Sequence, residues 1–255
     1  MRASIGFPMN SADEGWRSSP VLRSAVHTAI GLASYPGLAI FNKMRIEGAE
    51  NLVGLPSRNV LFVSNHRTYF TEVIAYLHVF CAVKWSKINR LGCPSYLLSP
   101  FVGALFVASV ETMKNGLLSR LLGLAGAVLV KRTWRTGEIE THRDRDPGDT
   151  DRILRALRER WVITFPQGTT RLRAPGRKGT AHLILQSGAI VIPVVARGFD
   201  RVFGKKGIRI RKVGAPLSVT FKPPLTWPSG VSPEAVLERV MESIEETERH
   251  WNASR

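Results

Sequence analysis

Two segments, Val60–His66 (VLFVSNH) and Trp161–Thr169 (WVITFPQGT), decide the fold of this 255-residue chain. Each begins with an apolar run that has the length and composition of a buried strand, and each run ends in a polar turn. In α/β proteins the turns that follow buried strands usually carry the chemistry. The first turn offers a histidine, His66, with a carboxylate nearby at Glu72, and the second offers a glycine turn followed by Arg171. The pattern predicts a base at one strand end and an anion-binding corner at another.

Further apolar runs alternate with amphipathic segments along the rest of the chain. Strands separated by helices are typical of one α/β domain. We therefore predict a single α/β domain with a mixed, mostly parallel sheet that is flanked by helices. Besides the two segments above, strands are predicted at 43–46, 83–86, 127–130, 190–195, 209–213 and 218–221, and helices at 68–80, 117–124, 149–160, 179–187 and from 232 onwards.

The N-terminal region divides into two parts. We interpret residues 1–19 as a flexible tail, because they contain no apolar periodicity. Residues 20–42 are mostly apolar and are interrupted near Pro36-Gly37. This pattern predicts an N-terminal apolar helical hairpin that associates with a membrane, followed by the folded domain at 43–255.

The charge of the chain is its unusual compositional feature. It contains 36 Lys and Arg against 20 Asp and Glu, which gives a formal net charge of +16. Such an excess indicates a polyanionic partner, either nucleic acid or anionic lipid, although a basic solubilising surface would give the same count. The sequence carries no zinc-finger, helix-turn-helix, RRM or KH signature, so no nucleic-acid partner is expected.

Cysteine usage and hydropathy indicate the compartment. Cys81 and Cys93 form no paired framework, which suits a reducing cytosol and predicts no metal site. The N-terminus lacks the apolar core of a secretory signal. Leu91–Val110 is uncharged and long enough to span a bilayer, but Pro94 and Pro100 interrupt it, so we interpret it as a bilayer-facing surface or the wall of an apolar tunnel. We expect a peripheral protein that binds the anionic surface of the inner (plasma) membrane from its cytoplasmic side.

The two turns resemble blocks of a known family, the glycerolipid acyltransferases of the lysophosphatidate (1-acylglycerol-3-phosphate) type. Those enzymes share an Asn-His-x-Ser-x-x-Asp block and a Phe-Pro-Glu-Gly-Thr-Arg block, in this order and at about this separation. The resemblance covers about residues 43 to 223 and makes the chain similar to a divergent member, with its acyltransferase domain at 43–255. Three further stretches fit the family: Met44–Leu52 (MRIEGAENL), Gly126–Arg132 (GAVLVKR) and Lys178–Val195 (KGTAHLILQSGAIVIPVV).

The resemblance implies transfer of a fatty acyl group from acyl-CoA or acyl-carrier protein to the hydroxyl of a lysophospholipid-like acceptor. Such a reaction needs a base that removes the hydroxyl proton as the attack begins. Imidazole suits this task because its pKa lies near the working pH, so His66 is the predicted general base. The free thiol is the leaving group. No metal and no tightly held cofactor is therefore expected, and acyl-CoA or acyl-carrier protein is a co-substrate.

The first block departs from the family at the acid that should orient the histidine. The resemblance implies an aspartate five residues after His66, but that position is Thr71, and the nearest acid is Glu72. One helical position is about 100° of rotation, so Glu72 replaces the aspartate only if the preceding turn has a different shape. We predict that Glu72 orients His66. Thr71, a distant carboxylate and an inactive site remain alternatives, as does a His66 that only bonds backbone at its strand end.

The second block predicts a binding site for the acceptor. Gly168 allows a tight turn whose backbone N–H groups can face an oxyanion, and the Thr169 hydroxyl adds a donor. The glutamate of the family is Gln167 here, and its arginine position is Thr170, with Arg171 one residue later. We predict that Gln167, Gly168, Thr169 and Arg171 bind substrate. A solvated basic loop, or a contact from Arg173, Arg177 or Lys178 instead of Arg171, is the alternative.

Two more substrate-binding residues are predicted outside this block. Thr68 can cap the helix that follows His66. Arg132 follows the strand at 127–130 and resembles the acceptor-binding arginine of the family, with Lys131 where an aspartate is usual.

Other functions remain open at this point. The family departures favour an acceptor without phosphate, such as an aminolipid, a glycolipid or a pigment. The missing aspartate at position 71 favours a catalytically silent, lipid-binding relative. Nucleic-acid binding rests on charge alone.

Overall fold

The computed structural model describes residues 19–113, 117–130, 147–205 and 207–253. Within these residues, seven strands form one sheet at the centre of the molecule. The strands are β1 (Arg45–Glu47), β2 (Val60–Ser64), β3 (Ala104–Ser109), β4 (Ala127–Val130), β5 (Trp161–Thr164), β6 (Ile190–Arg197) and β7 (Ser218–Phe221).

Helices connect the strands and cover the sheet. A π-helical segment (Pro36–Ile40) continues the first α-helix, and 3₁₀ segments occupy Ala49–Leu52 and Pro94–Leu98. The α-helices are α1 (Pro20–Tyr35), α2 (Thr71–Lys84), α3 (Val110–Met113), α4 (Leu117–Gly126), α5 (Pro147–Glu159), α6 (Lys178–Ser187), α7 (Phe199–Val202), α8 (Pro233–Ser243) and α9 (Glu248–Ala253).

The strand order is β1-β7-β6-β2-β5-β3-β4. Strands β6, β2, β5, β3 and β4 run parallel to one another, β7 is antiparallel to β6, and β1 is parallel to β7. This arrangement confirms the predicted α/β domain with a mixed, mostly parallel sheet. β2 and β5 are parallel neighbours, with Val63 opposite Thr164. The two polar turns therefore begin side by side at the carboxyl end of these strands.

The core lies on both faces of this sheet. All five residues of β2 are buried, as expected for a parallel strand that is covered on both sides. Phe62 packs into a cluster with the apolar residues of α2, whereas Leu61 and Val63 pack into a second cluster with α5, α6 and α8. Burial of each such side chain stabilises the fold by about 1.5–3 kcal/mol, so the apolar run at 60–63 specifies both the strand and its central place.

Helix α2 is longer than predicted, and the strand predicted at 83–86 is wrong. The helix begins at Thr71 and continues to Lys84, followed by a turn at 85–86. Every residue from Thr71 to Ala82 is buried. A helix that is buried on all sides has no amphipathic pattern to mark its end, which is why the apolar residues near position 83 resembled a new strand.

Two other predictions differ from the structure. Leu91–Val110 contains β3, which lies between β5 and β4 in the sheet, so much of this segment is core. Glycines and prolines before residue 104 and the absence of alternation concealed that strand. The strand predicted at 209–213 is reduced to a single bridge between Phe203 and Ile210.

The structure does not confirm the N-terminal hairpin. The chain does not reverse at Pro36; that residue has helical dihedral angles and begins the π-helical segment, in which the Phe41 N–H donates to the Pro36 carbonyl at 2.9 Å. Proline has no N–H to continue the α-helical pattern, and a wider turn accommodates the gap.

Helix α1 buries polar side chains together with Val26 and Ile30 and exposes other apolar ones. Arg23 is only 1% exposed and its guanidinium donates to the Val102 carbonyl at 2.5 Å. The His27 Nδ1 atom, also buried, lies 2.8 Å from the Arg23 carbonyl oxygen. Val21 and Leu32, in contrast, are 79% and 52% exposed. No helix in the described parts of the chain combines the length and apolarity needed to cross a membrane.

Candidate active site

The two polar turns meet directly beyond the ends of β2 and β5. The imidazole of His66 stacks on the Phe165 ring, with 4.0 Å between ring centroids and 23° between the ring planes. His66 is partly buried at this place. The structure therefore brings the predicted base against the first residue of the second block, as the strand-end pattern indicated.

His66 lines a pocket that has one apolar and one polar side. Side chains from the start of α2 and from β3 supply the apolar side, and the glycine turn supplies the polar side. β3 belongs to the second half of the segment that was interpreted as a tunnel wall. The pocket is lined by His66, Tyr69, Phe70, Val73, Phe106, Val107, Ala108, Ser109, Thr112, Val130, Thr164, Phe165, Gly168 and Arg177.

Glu72 lies beneath the turn that carries His66. Its Oε1 atom accepts hydrogen bonds from the backbone N–H groups of Arg67 and Thr68, both at 2.7 Å, and its Oε2 atom accepts one from the Thr68 hydroxyl. The carboxyl is fully buried, and this burial raises its pKa to about 7 even though the hydrogen bonds favour ionisation. Glu72 thus fixes the two residues that follow the histidine.

Thr68 and Thr71 complete this turn. The Thr68 hydroxyl is hydrogen-bonded to the Thr71 hydroxyl and accepts the Thr71 backbone N–H at 3.2 Å, so Thr68 caps the first turn of α2. Both residues are buried, with 1% and 2% of their surface exposed. Thr71, at the position where the resemblance implied an aspartate, is part of the turn structure, and Thr68 uses its hydroxyl for the same purpose.

Gly168 forms the tight turn of the second block. Its φ of +60° is in the left-handed region, and its N–H donates to the Phe165 carbonyl at 2.9 Å. A Cβ at this position would lie 2.7 Å from the Cζ atom of Arg177. The chain returns to the turn at that residue, because the Arg177 N–H donates to the Pro166 carbonyl at 2.9 Å.

This return brings Arg177, rather than Arg171, to the pocket. Arg171 is exposed and its backbone N–H donates to the Thr169 hydroxyl at 3.3 Å. Neither Arg171 nor Thr169 is among the residues that line the pocket. Arg132 lies outside the described residues.

Gln167 points away from the pocket into a buried ionic network. Its Nε2 atom donates to the Ala174 carbonyl at 2.7 Å and to the Oε2 atom of Glu246 at 3.1 Å. The other oxygen of Glu246 is paired with the guanidinium of Arg67. The sequence does not single out Glu246, because no local pattern indicates a partner 179 residues away.

A second cavity, which we call the basic groove, lies on the other side of the His66 turn. Asn65 and Arg67 belong to its wall, whereas His66 faces the pocket. Six arginines and lysines line the groove against three carboxylates, and two of those carboxylates are in ion pairs. The charged lining residues are Lys43, Arg45, Arg67, Arg173, Arg197, Arg201, Asp200, Glu245 and Glu246.

Residues 43–197 match the sequence profile of the family Acyltransferase, so the chain belongs to the acyltransferase family. Two proteins named 1-acyl-sn-glycerol-3-phosphate acyltransferase are similar to it. That of Limnanthes douglasii is 25% identical over 185 residues, which are 71% of this chain and 54% of the relative; that of Limnanthes alba is 30% identical over 128 residues, which are 49% and 42%. The chain spans about half the length of these curated relatives.

Comparison of folds agrees with this assignment. The crystal structure of the 1-acyl-sn-glycerophosphate (LPA) acyltransferase PlsC from Thermotoga maritima superposes with a TM-score of 0.51 at 18% sequence identity. The superposition covers 88% of this chain and 78% of that one. The chain therefore shares the α/β fold of that enzyme.

Proposed function

We propose that the protein is an O-acyltransferase that moves a fatty acyl group from acyl-CoA or acyl-carrier protein to the hydroxyl of a lysophospholipid-like acceptor. The observation that carries this proposal is the position of His66. Its imidazole, stacked on Phe165, lies in one pocket with an apolar wall for a fatty chain and with the Gly168 turn and Arg177 for developing charge.

The reaction follows from these positions. His66 takes the proton of the acceptor hydroxyl while the hydroxyl oxygen attacks the thioester carbonyl carbon. A C–O bond forms and the carbonyl oxygen becomes an oxyanion, which the Gly168 turn and the Arg177 guanidinium stabilise. The C–S bond then breaks, and the imidazolium of His66 returns the proton to the sulfur. The products are an ester and a free thiol, and no covalent enzyme intermediate forms.

Glu72 orients His66 in this proposal through the turn that both residues share. Its hydrogen bonds to the N–H groups of Arg67 and Thr68 support this role, because they fix the backbone that carries the imidazole. A Glu72→Gln variant retains acceptor oxygen for both N–H groups. If its rate falls although its melting temperature does not, the charge of Glu72 matters for catalysis and not only its hydrogen bonds.

The basic groove is where we propose that the phosphate-bearing carrier of the donor binds. A thioester donor has an apolar chain on one side of its reactive carbon and an anionic carrier on the other. The protein has a matching arrangement, because the apolar pocket lies on one side of the turn at 65–67 and the basic groove lies on the other. Excess positive charge in a groove raises the local concentration of an anionic ligand.

The membrane partner is also proposed, and α1 supports it. Its outward side exposes Val21, Leu22 and Leu32, followed by exposed Ile40 and Phe41 after the π-helical segment. Exposed apolar side chains, followed in the chain by the exposed cations Lys43 and Arg45, suit contact with an anionic bilayer. We propose a peripheral enzyme that meets its acceptor at the cytoplasmic face of the inner membrane.

One experiment tests the function. Purified protein is incubated with acyl-CoA or acyl-carrier protein and a panel of lysolipids, and products are followed by mass spectrometry. The variant His66→Ala should lose roughly 10²- to 10⁴-fold in rate. His182→Ala, which removes an exposed histidine from α6, is the matched control and should retain the wild-type rate. Absence of product with every donor and acceptor would favour a silent, lipid-binding relative.

A second candidate function is acylation of an acceptor without phosphate. Among the described residues that line the pocket, Arg177 is the only cation, which favours a neutral acceptor. The same panel decides between the two: product from phosphate-bearing lysolipids alone excludes this candidate, and product from an aminolipid or a glycolipid alone supports it.

A further inference from the structure

We infer that Glu246 is a positioning residue of the active site, joining the histidine block to the glycine block from the C-terminal end of the chain. The inference rests on the proposed function. Residue 246 lies outside the segment that matches the family, 43–197. Its side chain is nevertheless 3% exposed and contacts the residue after His66 and the residue before Gly168.

The backbone at the end of α8 brings this carboxylate inward. The Glu246 N–H donates to the Met241 carbonyl at 2.9 Å, and the Glu245 N–H donates to the Glu242 carbonyl at 3.0 Å. These two bonds form a Schellman motif, whose left-handed position is normally glycine. Here it is occupied by Glu245, with a φ of +62°. A glutamate in this conformation is strained, so interactions of the turn must hold it there.

The two glutamates of the turn supply those interactions in different directions. Glu245 pairs with Arg197 at the end of β6 and with Lys222 after β7, in a partly exposed position. Glu246 pairs with Arg67 and accepts from Gln167 in the interior. Of the two glutamates, only Glu246 contacts the turns that carry His66 and Gly168. Glu245 lines the basic groove, so the matched control is Glu242, a partly exposed glutamate of α8 that lines neither cavity and pairs with Arg239 and Arg249.

The contacts of Glu246 have a consequence for catalysis. Arg67 donates its backbone N–H to Glu72 and its guanidinium to Glu246, so the residue next to His66 is held from two sides. Gln167 is held by Glu246 on one side and by the Ala174 carbonyl on the other. The distance between the base and the Gly168 turn is thus set by a carboxylate that touches neither.

The position also explains a departure from the family pattern. The resemblance implied a glutamate where this chain has Gln167. In this structure the amide of Gln167 meets a carboxylate from residue 246. Two buried carboxylates in contact would repel each other, so a neutral residue at 167 is the choice that allows Glu246 to neutralise Arg67.

The experiment compares Glu246→Gln with Glu242→Gln. We expect Glu246→Gln to lower kcat by roughly 10- to 100-fold with little change in the KM of the acceptor, because the reacting groups are displaced while the binding surfaces remain. Glu242→Gln should retain kcat within about twofold, although it also loses ion pairs. In a His66→Ala background, Glu246→Gln should lower the residual rate no further, since it acts through His66. Equal kcat in the two single variants would overturn the inference.

Two further measurements keep the test decisive. If Glu246→Gln does not fold, the double variant Arg67→Met/Glu246→Gln removes both partners of the buried charge pair. It should fold and show the same loss of kcat; full kcat would contradict the inference.

The NMR titration of the His66 imidazole, assigned with His66→Ala, needs no turnover. It should change in Glu246→Gln and not in Glu242→Gln. A change in this titration in a protein without acyltransferase activity would refute the proposed function and leave the role of Glu246 intact.

Discussion

The imidazole of His66 and the ring of Phe165 lie face to face, 4.0 Å apart, although the two residues come from different motif turns. This stack excludes water from one face of the imidazole and restricts its rotation. It also means that the position of the base depends on the second block as well as on the first.

Replacing Phe165 by leucine should therefore lower kcat by roughly 3- to 10-fold, the range expected from losing one aromatic pair. Phe101→Leu is the matched control, because Phe101 packs against Trp161 outside the pocket, with 4.7 Å between the tilted rings' centroids. Both variants should lose stability, but only Phe165→Leu should lose turnover at a temperature where each is folded. Unchanged kcat in Phe165→Leu would show that the stack does not hold the base.

Glu72 gives the stability of the protein a distinct pH dependence. Its pKa rises from 4.5 to about 7 on folding because the carboxyl is buried. Between these values the folded state binds more protons than the unfolded state, so the free energy of unfolding falls as pH rises, by up to about 1.4 kcal/mol per pH unit. Glu72→Gln should remove this fall. Urea unfolding at pH 5 and pH 7.5 measures it, and an equal fall in both proteins would contradict the prediction.

Gly168 and Gly188 provide a matched pair of left-handed glycines, with φ of +60° and +57°. Alanine at either position should cost about 1 kcal/mol of backbone strain. At Gly188 the new Cβ meets nothing within 4 Å, but at Gly168 it lies 2.7 Å from the Arg177 guanidinium. Gly168→Ala should therefore lose activity and Gly188→Ala should not. Steady-state kinetics of the two variants decide this, and equal activity would show that Arg177 tolerates displacement.

Reversing charge in the basic groove should weaken donor binding. Arg201→Glu, at an exposed lining position, should raise the KM of acyl-CoA several-fold, more so at low ionic strength, and leave the KM of an acyl-pantetheine without phosphates unchanged. Arg158→Glu, on the exposed side of α5, controls for net charge. If instead the KM of a phosphate-bearing acceptor rises, the groove holds the acceptor and the donor assignment is wrong.

The exposed face of α1 should determine membrane binding. Leu32→Glu places a charge on that face and should reduce binding to vesicles of phosphatidylglycerol and phosphatidylethanolamine by roughly tenfold. Leu185→Glu is the control, since Leu185 is a similarly exposed leucine, 41% against 52%, on α6. Vesicle co-sedimentation measures both. Equal loss in the two variants would show that the effect is one of charge and not of α1.

The strands β2, β4 and β7 could be predicted residue for residue, because β2 and β4 are short apolar runs and β7 alternates polar with apolar residues. The strand β3 could not, since its pairing with β5 and β4 is a property of the sheet and not of its own sequence. The same limit applies to α2, whose end is concealed by burial on all sides.

Within the candidate site, the sequence placed His66 and Gly168 after the ends of two strands, and the structure shows that these strands are parallel neighbours, so both residues lie at the carboxyl end of the sheet. The sequence favoured Arg171 over Arg177, since proximity along the chain does not show where a loop returns. The contacts of Glu246 could not be predicted from the sequence, for a related reason. Its partners are distant in sequence, and only the Schellman turn after α8 directs it towards them.

The pairing of β1 with β7 has a consequence for the order in which the chain folds. Glu47 and Thr220 face each other across 173 residues of sequence, and β1 joins the sheet through β7. On the ribosome, β1 is synthesised long before the strand that receives it. Contacts at such separation form late, because the loop between them must close first. We therefore expect β1 to join the sheet last, and a chain truncated before Ser218 to leave β1 unpaired and the edge of β6 open to aggregation.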